Sequence, residues 1–188
     1  MTQVSERRPG PWNVANALTA LRLVLVPPFV WLMVDGGSSQ RLLAFGAFLL
    51  AALTDKVDGE LARRRALITD FGKIADPVAD KVLVGAALIC LSSLNELPWW
   101  VTAVVLVREL GVTAVRFVVI RHGVIAASPG GKAKTLLQTV AIALYLLPLE
   151  GAARLVAEVT MGAAVVLTVA TGIDYVVRAV RLRQASTR

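Results

Sequence analysis

The chain of 188 residues is 56% hydrophobic and only 18% charged, and its formal net charge is +7. A disordered chain would be polar and highly charged, and the single cysteine excludes a disulfide scaffold. One histidine and one cysteine also argue against a zinc site or a cysteine–histidine nucleophile. Any chemistry must therefore rest on carboxylates, arginines and lysines.

Continuous apolar stretches separated by short polar breaks predict an all-α polytopic membrane protein with six transmembrane helices. A helix needs about 20 residues to cross the hydrocarbon core, and barrel strands would alternate between polar and apolar residues. The predicted spans are 17–34, 42–58, 77–94, 99–120, 134–149 and 152–177. We expect them to form one domain over residues 13–180, between an N-terminal segment (1–12) and a basic tail (181–188).

The distribution of cations predicts the orientation in the membrane. Lysines and arginines gather at both chain ends and after the second and fourth spans, whereas the opposite loops hold only Arg41 and Arg154. Cationic loops stay on the cytoplasmic side, so both termini are expected there. These loops account for the positive charge, so we expect contacts with membrane lipids and no nucleic acid partner.

Four aspartates lie on either side of the loop between the second and third spans. Asp55 and Asp58 are three residues apart, and Asp76 and Asp80 are four apart, so each pair shares one face of a helix. Asp76 followed by Pro77 resembles an N-cap with proline at the first helical position, which predicts that the third helix begins there. Two neighbouring helices can thus direct four carboxylates into one gap.

Such a cluster requires protons or metal ions. At about 4 Å and an effective dielectric constant of about 20, each like-charged pair costs roughly 4 kcal/mol. Oxygen ligands favour Mg²⁺, Mn²⁺ or Ca²⁺, and two divalent ions would balance four carboxylates and form the usual clamp for displacement at phosphorus. Gly59 and Gly72 allow a ligand to approach the backbone, and Arg63 can bind a phosphate.

Two other interpretations of the aspartates stay open. They could form only ion pairs with neighbouring lysines and arginines, or they could carry ions or protons in a transporter. Ionisable residues inside membrane spans are functional by default, which argues against the first interpretation. A transporter would spread its carboxylates along a path, whereas these gather at one cytoplasmic end.

The spacing of this segment resembles the signature of the CDP-alcohol phosphotransferases. All eight signature positions match in Asp55-x2-Asp58-Gly59-x2-Ala62-Arg63-x8-Gly72-x3-Asp76-x3-Asp80. The similarity extends along most of the chain. Within that family, the opening at residues 13–22 and the segments 71–81, 108–110 and 131–138 resemble the phosphatidylglycerophosphate synthases, although Ala15 stands where that opening usually has proline.

The family resemblance implies a six-helix enzyme of the bacterial inner membrane, usually a homodimer, with a cytoplasmic active site. It implies transfer of a phosphatidyl group from CDP-diacylglycerol to an alcohol with release of CMP, assisted by two Mg²⁺ or Mn²⁺ ions. By position, the metal ligands would be Asp55, Asp58, Asp76 and Asp80. Asp80 would also act as the general base. The CDP-binding positions carried over are Gly59, Ala62, Arg63, Gly72, Asn16 and Thr19, with Arg22 also on the first span.

Four cationic residues are predicted to bind the phosphate of the acceptor, namely Arg108, Arg116, Lys132 and Lys134. Eight residues separate Arg108 from Arg116, which is about 80° around a helix, so both can face one cavity. The resemblance implies glycerol 3-phosphate as the acceptor, and the phosphate of that acceptor needs cations beyond those that bind CDP. An internal pair of Arg108 with Glu109 stays open, as does a merely interfacial position for Arg116 and Lys134. The alternative function is a cardiolipin synthase of the same family, with phosphatidylglycerol as acceptor.

Overall fold

The computed structural model describes residues 14–64, 70–119 and 129–185, and the side chains of residues 17–54, 78–79, 81–115 and 129–184. Within these residues the fold is all-α. Its six helices are α1 (Val14–Asp35), α2 (Ser38–Arg64), α3 (Asp70–Ser93), α4 (Trp99–Val119), α5 (Pro129–Leu146) and α6 (Gly151–Ala185). Each predicted span overlaps one of these helices over most of its length, so the all-α prediction is confirmed.

The predicted start of the third helix is wrong. Helix α3 begins at Asp70, so Asp76 and Pro77 lie within it and not at its N-terminus. Proline removes one backbone donor, but a long helix can continue past that loss, as α1 does through Pro27 and Pro28. An acidic residue at the first position, Asp70, is favoured by the helix dipole.

The chain divides into two compact units, Met1–Ala86 and Ala87–Arg188. In the first unit, α1 packs against α2. Phe29 and Phe48 are both buried, and their ring centroids lie 6.2 Å apart. Gly36 ends α1 with a φ of 77°, a left-handed conformation that glycine adopts without steric cost. This turn reverses the chain and makes α1 and α2 a helical hairpin.

In the second unit, α6 packs against both α4 and α5. Four residues (147–150) connect α5 to α6, and so short a connection makes them antiparallel neighbours. The buried residues of α6 recur every three or four positions, which is the spacing of one helix face. They include Ala157, Met161, Ala164, Val165 and Thr168.

The end of α3 and the start of α4 are joined by a hydrogen-bonded turn in the same unit. Asn95 has a φ of 59°, its N–H donates to the Ser92 carbonyl, and the N–H of Glu96 donates to the carbonyl of Leu91. These two bonds form a Schellman motif, which satisfies carbonyl groups at the end of the helix. The hydroxyl of Thr102 on α4 lies 2.7 Å from that of Ser92 and fixes the turn from the other side.

Arg154 connects this turn to α5 and α6. Its Nη2 donates to the carbonyl oxygen of Glu96 at 2.8 Å, and its Nε donates to Glu158 at 3.4 Å. The guanidinium carbon lies 4.5 Å from the centre of the Tyr145 ring, a cation–π contact. One side chain at the start of α6 therefore holds three parts of the second unit together.

Two helical segments, Ala17–Asp35 and Gly151–Gln184, have the length and composition of membrane spans. The apolar parts of α2 and α3, Ser38–Thr54 and Lys81–Ser93, are shorter. Large apolar side chains are exposed along α4 and α6, among them Val107, Leu110, Val159, Val166 and Ile173. Such surfaces suit a lipid environment, since water would make them sites of association.

We predict that Arg154→Ala lowers the thermal unfolding midpoint of the detergent-purified protein. It removes a hydrogen bond to a backbone carbonyl and a cation–π contact, together about 1–3 kcal/mol. The matched control is Arg178→Ala on the same helix, where an exposed pair with Asp174 contributes only about 0.5 kcal/mol. Equal losses in the two variants would contradict the connecting role of Arg154.

Candidate active site

The helix boundaries give the register of the four aspartates. Asp55 and Asp58 lie near the C-terminus of α2, and Asp76 and Asp80 lie in the first half of α3. Each pair stands within one continuous helix at a spacing of three or four, as predicted. The side chains of all four lie outside the described residues, as do those of the predicted CDP-binding residues Gly59, Ala62, Arg63, Gly72 and Asn16.

No group of three or more potential metal-binding side chains occurs among those that the structure describes. The predicted aspartate site therefore stays a prediction. Two other residues of the predicted nucleotide site, Thr19 and Arg22, are described on α1. They are three residues apart, on one face of the helix, and both are buried. A buried guanidinium in an apolar helix is costly, and such residues are usually retained for function, so the burial of Arg22 agrees with its predicted place in the nucleotide site.

Glu109 on α4 joins two cations of the second unit. Its Oε1 accepts a hydrogen bond from Arg108 Nη1 at 2.9 Å and another from Lys134 Nζ on α5. Arg108 Nη2 also donates to Thr171 Oγ1 on α6 at 3.1 Å. These four residues, which we call the Glu109 cluster, connect all three helices of the unit.

The Glu109 cluster is poorly accessible to solvent and has an excess of positive charge. The Lys134 side chain is 3% exposed, and those of Arg108 and Glu109 are 17% and 18% exposed. A charge removed from water costs several kcal/mol unless it is paired, which explains why Lys134 and Arg108 share this carboxylate. Among the side chains that the structure describes, the cluster holds two cations and one carboxylate, a formal charge of +1 that favours an anion.

The sequence of α6 permits the close approach of Arg108. A Cβ at Gly172 would lie 3.1 Å from the Cγ of Arg108, which is tighter than ordinary van der Waals contact. The hydroxyl of Thr171 donates to the carbonyl of Leu167 at 2.6 Å, so its oxygen is oriented to accept from Arg108. A glycine and a threonine in succession thus form the contact surface for the guanidinium group.

Three buried polar atoms on these helices have no hydrogen-bond partner among the described residues: Arg108 Nε, Gln138 Oε1 and Thr168 Oγ1. Gln138 follows Lys134 by one turn, and Thr168 precedes Thr171 by one turn. Leaving such a group unsatisfied costs about 1–3 kcal/mol, and water or a polar ligand normally satisfies it. Helices α4, α5 and α6 therefore offer hydrogen-bonding capacity beyond their own contacts.

The structure brings together two of the four residues predicted to bind the acceptor phosphate. Arg108 and Lys134 meet at Glu109, so the pair of Arg108 with Glu109 exists and includes a second cation. Lys134 is buried and does not extend to an interface. Lys132 is exposed at the start of α5, and the side chain of Arg116 lies outside the described residues.

The sequence prediction missed Thr171 and Thr168. A threonine in an apolar helix commonly bonds to the carbonyl four residues earlier, as Thr113 and Thr160 do here, so its presence carries little signal. Gln138 lies in the segment 131–138 that resembles the family, but the resemblance implies no role for it. A buried amide within an apolar span was the signal available for it.

Comparison with known proteins identifies the family. Residues 12–170 match the sequence profile of the CDP-alcohol phosphatidyltransferases. The chain belongs to this family. The family resemblance found in the sequence is thus confirmed. The chain therefore has the fold of this family and belongs to its class of enzymes, the CDP-alcohol phosphatidyltransferases.

Individual relatives agree with this assignment. The chain is 55% identical over 172 residues to a probable phosphatidylglycerophosphate synthase of Mycobacterium tuberculosis, a match covering 90% of this chain and 82% of the relative. It is 38% identical over 180 residues to a CDP-diacylglycerol–glycerol-3-phosphate 3-phosphatidyltransferase of Bacillus subtilis, covering 87% and 93%. A relative of the same name from Rickettsia typhi is 34% identical over 171 residues, covering 87% and 94%.

We predict that Glu109→Gln destabilises the protein by about 3–5 kcal/mol, because it removes the carboxylate that the poorly accessible Arg108 and Lys134 share. The measurement is the unfolding midpoint in detergent. The double variant Glu109→Gln/Lys134→Met removes both charges of this pair and should recover part of the loss, although Arg108 still lacks the shared carboxylate. A double variant as unstable as the single one would show that the ion pair does not determine stability here.

Proposed function

We propose that this protein transfers the phosphatidyl group of CDP-diacylglycerol to glycerol 3-phosphate, forming phosphatidylglycerophosphate and releasing CMP. Family membership supports the donor, and the names of the three relatives agree with the acceptor. The structural observation that supports glycerol 3-phosphate as the acceptor is the Glu109 cluster, in which two poorly accessible cations share one carboxylate. A small phosphorylated alcohol supplies the anion that this excess charge favours.

Asp55, Asp58, Asp76 and Asp80 would hold two divalent cations, Mg²⁺ or Mn²⁺. The register of these residues in α2 and α3 supports this assignment, because each pair shares a helix face and all donors are carboxylate oxygens. When bound, such ions neutralise the charge of the pyrophosphate and of the departing CMP. Gly59, Ala62, Arg63, Gly72, Asn16 and Thr19 would form the nucleotide pocket.

Asp80 would act as the general base. The hydroxyl oxygen of the acceptor forms a bond to the phosphorus of the phosphatidyl group, the bond from that phosphorus to CMP breaks, and the hydroxyl proton passes to the Asp80 carboxylate. Asp80 stands one turn further along α3 than Asp76 and is the aspartate furthest from the helix start. A base must lie within hydrogen-bond reach of the proton that it accepts.

Arg108 and Lys134 would bind the phosphate of the acceptor. Arg108 offers a planar set of donors and Lys134 a compact charge, and Glu109 keeps both in position before the acceptor arrives. Donors held in place in advance bind more tightly, since little ordering entropy is lost on binding. Lys132 and Arg116 would complete the cationic surface toward the cytoplasm.

The proposed enzyme has a fixed orientation in the membrane and forms a dimer. Both termini and the active site face the cytoplasm of a bacterial inner membrane, with residues 1–12 as a juxtamembrane segment and 181–188 as a basic tail. Six helices within residues 13–180 cross the membrane, and two copies form a homodimer. The cationic loops support this orientation. Helix α6 continues to Ala185, so the basic residues Arg181 and Arg183 are helical.

The direct test is CMP release by the purified protein from radiolabelled CDP-diacylglycerol with Mg²⁺ or Mn²⁺. Glycerol 3-phosphate, phosphatidylglycerol, inositol phosphate and serine are offered in separate reactions. We expect release with glycerol 3-phosphate. Release with phosphatidylglycerol alone would instead support a cardiolipin synthase, and no release with any acceptor would contradict the enzymatic function.

We predict that Asp80→Asn lowers turnover at least about a hundredfold, the typical contribution of a general base. Binding of CDP-diacylglycerol should change little, because an amide oxygen preserves the size of the residue and the other three aspartates remain. The control is Asp174→Asn, which alters an exposed aspartate of α6. Near-normal turnover in Asp80→Asn would exclude this residue as the base.

We predict that Arg108→Ala raises the KM for glycerol 3-phosphate at least about tenfold, because a hydrogen bond between charged groups contributes about 1.5–3 kcal/mol. The KM for CDP-diacylglycerol should stay within about twofold. Steady-state kinetics with each substrate varied in turn measure both constants, and Arg178→Ala serves as the control. Equal increases in both constants would contradict the acceptor site.

A further inference from the structure

Gln138 has an unusual environment for an amide side chain. It is only 4% exposed, and its Oε1 has no hydrogen-bond partner among the residues that the structure describes. It lies on the buried face of α5, which it shares with Lys134, Ala141, Ile142 and Tyr145. A leucine would fill this position without the cost of burying an unsatisfied amide, so the amide is not explained by packing.

The Oε1 atom of Gln138 differs in its hydrogen bonding from the cations of the Glu109 cluster, of which Lys134 lies one turn earlier on the same helix. Arg108 and Lys134 offer hydrogen-bond donors, which suit a phosphate, whereas an amide oxygen only accepts. Gln138 follows Lys134 by four residues, a rise of roughly 6 Å on the same helix face. Two cations and, one helical turn away, a hydrogen-bond-accepting oxygen suit a small ligand that has a phosphate at one end and a hydroxyl further along.

We propose that Gln138 is a specificity-determining residue that accepts a hydrogen bond from the secondary hydroxyl of the acceptor alcohol. This inference rests on the proposed function, because glycerol 3-phosphate carries one hydroxyl that reacts and a secondary hydroxyl that does not. A site with a buried group that hydrogen-bonds a substrate hydroxyl rejects an analogue that lacks this hydroxyl, because the buried protein group then has no hydrogen-bond partner. Gln138 thereby selects for glycerol 3-phosphate among alcohol phosphates.

The test compares two acceptors with two forms of the enzyme. The acceptors are glycerol 3-phosphate and 3-hydroxypropyl phosphate, which has hydrogen in place of the secondary hydroxyl. In the native enzyme we expect kcat/KM to favour glycerol 3-phosphate at least about tenfold, the value of one neutral hydrogen bond plus an unsatisfied partner. In Gln138→Leu the preference should fall to about threefold or less, mainly through loss of activity with glycerol 3-phosphate.

Two further variants separate recognition from a structural role. Gln138→Glu keeps an acceptor oxygen and should keep most of the preference, even though its charge lowers activity with both acceptors. Thr139→Val alters the next residue, whose hydroxyl bonds to the carbonyl of Thr135, and should leave the preference unchanged. If Gln138→Leu does not fold, Gln138→Met provides the same comparison with a flexible apolar side chain.

The outcomes are distinct. An undiminished preference in the apolar variants, or no preference in the native enzyme, would overturn the role of Gln138 while the proposed function stands. Failure of the proposed function would be seen in the native enzyme alone, as no release of CMP with glycerol 3-phosphate, and the inference would fail with it. Loss of the preference only in the apolar variants would support the assignment.

Discussion

The second unit depends on one carboxylate that is shared by two cations in apolar surroundings. Glu109 binds Arg108 on its own helix and Lys134 on α5, and Arg108 reaches Thr171 on α6. Moving any of these helices away would break a hydrogen bond between charged or polar groups that are shielded from water, which costs several kcal/mol. The ion pairs therefore stabilise the arrangement of α4, α5 and α6, and they hold the Arg108 and Lys134 side chains in place.

Under the proposed function the same residues serve stability and binding, which would explain why the core of the unit is not entirely apolar. Well-packed apolar residues at these positions would often be as stable as the ion pairs, so stability alone does not account for them. Gln138 and Thr168 add polar atoms that the described residues leave unsatisfied. Arg154 holds a different part of the unit, the turn between α3 and α4, through contacts that involve no unsatisfied group of its own.

The sequence predicted the helices well because continuous apolar stretches determine them directly. It failed at the start of α3, because Asp76 and Pro77 form a local N-cap pattern, whereas a cooperative helix from Asp70 tolerates one missing hydrogen bond. It identified Arg108 and Lys134 separately but could not join them at Glu109. That pairing spans 25 positions and depends on how α4 and α5 each pack against α6. The spacing of the aspartates predicted that each pair shares a helix face. The helix boundaries agree, because each pair lies within one continuous helix.

Binding of the acceptor at the Glu109 cluster is tested by the equilibrium Kd of radiolabelled glycerol 3-phosphate, measured by dialysis against the purified protein with Mg²⁺ and CMP. The Glu109→Gln/Lys134→Met double variant has the same net charge as the native enzyme, so long-range attraction is unchanged. We predict that its Kd rises at least about tenfold, because the contact between Lys134 and the phosphate is lost. An unchanged Kd would show that glycerol 3-phosphate binds away from Lys134 and would rule out the Glu109 cluster as the acceptor site.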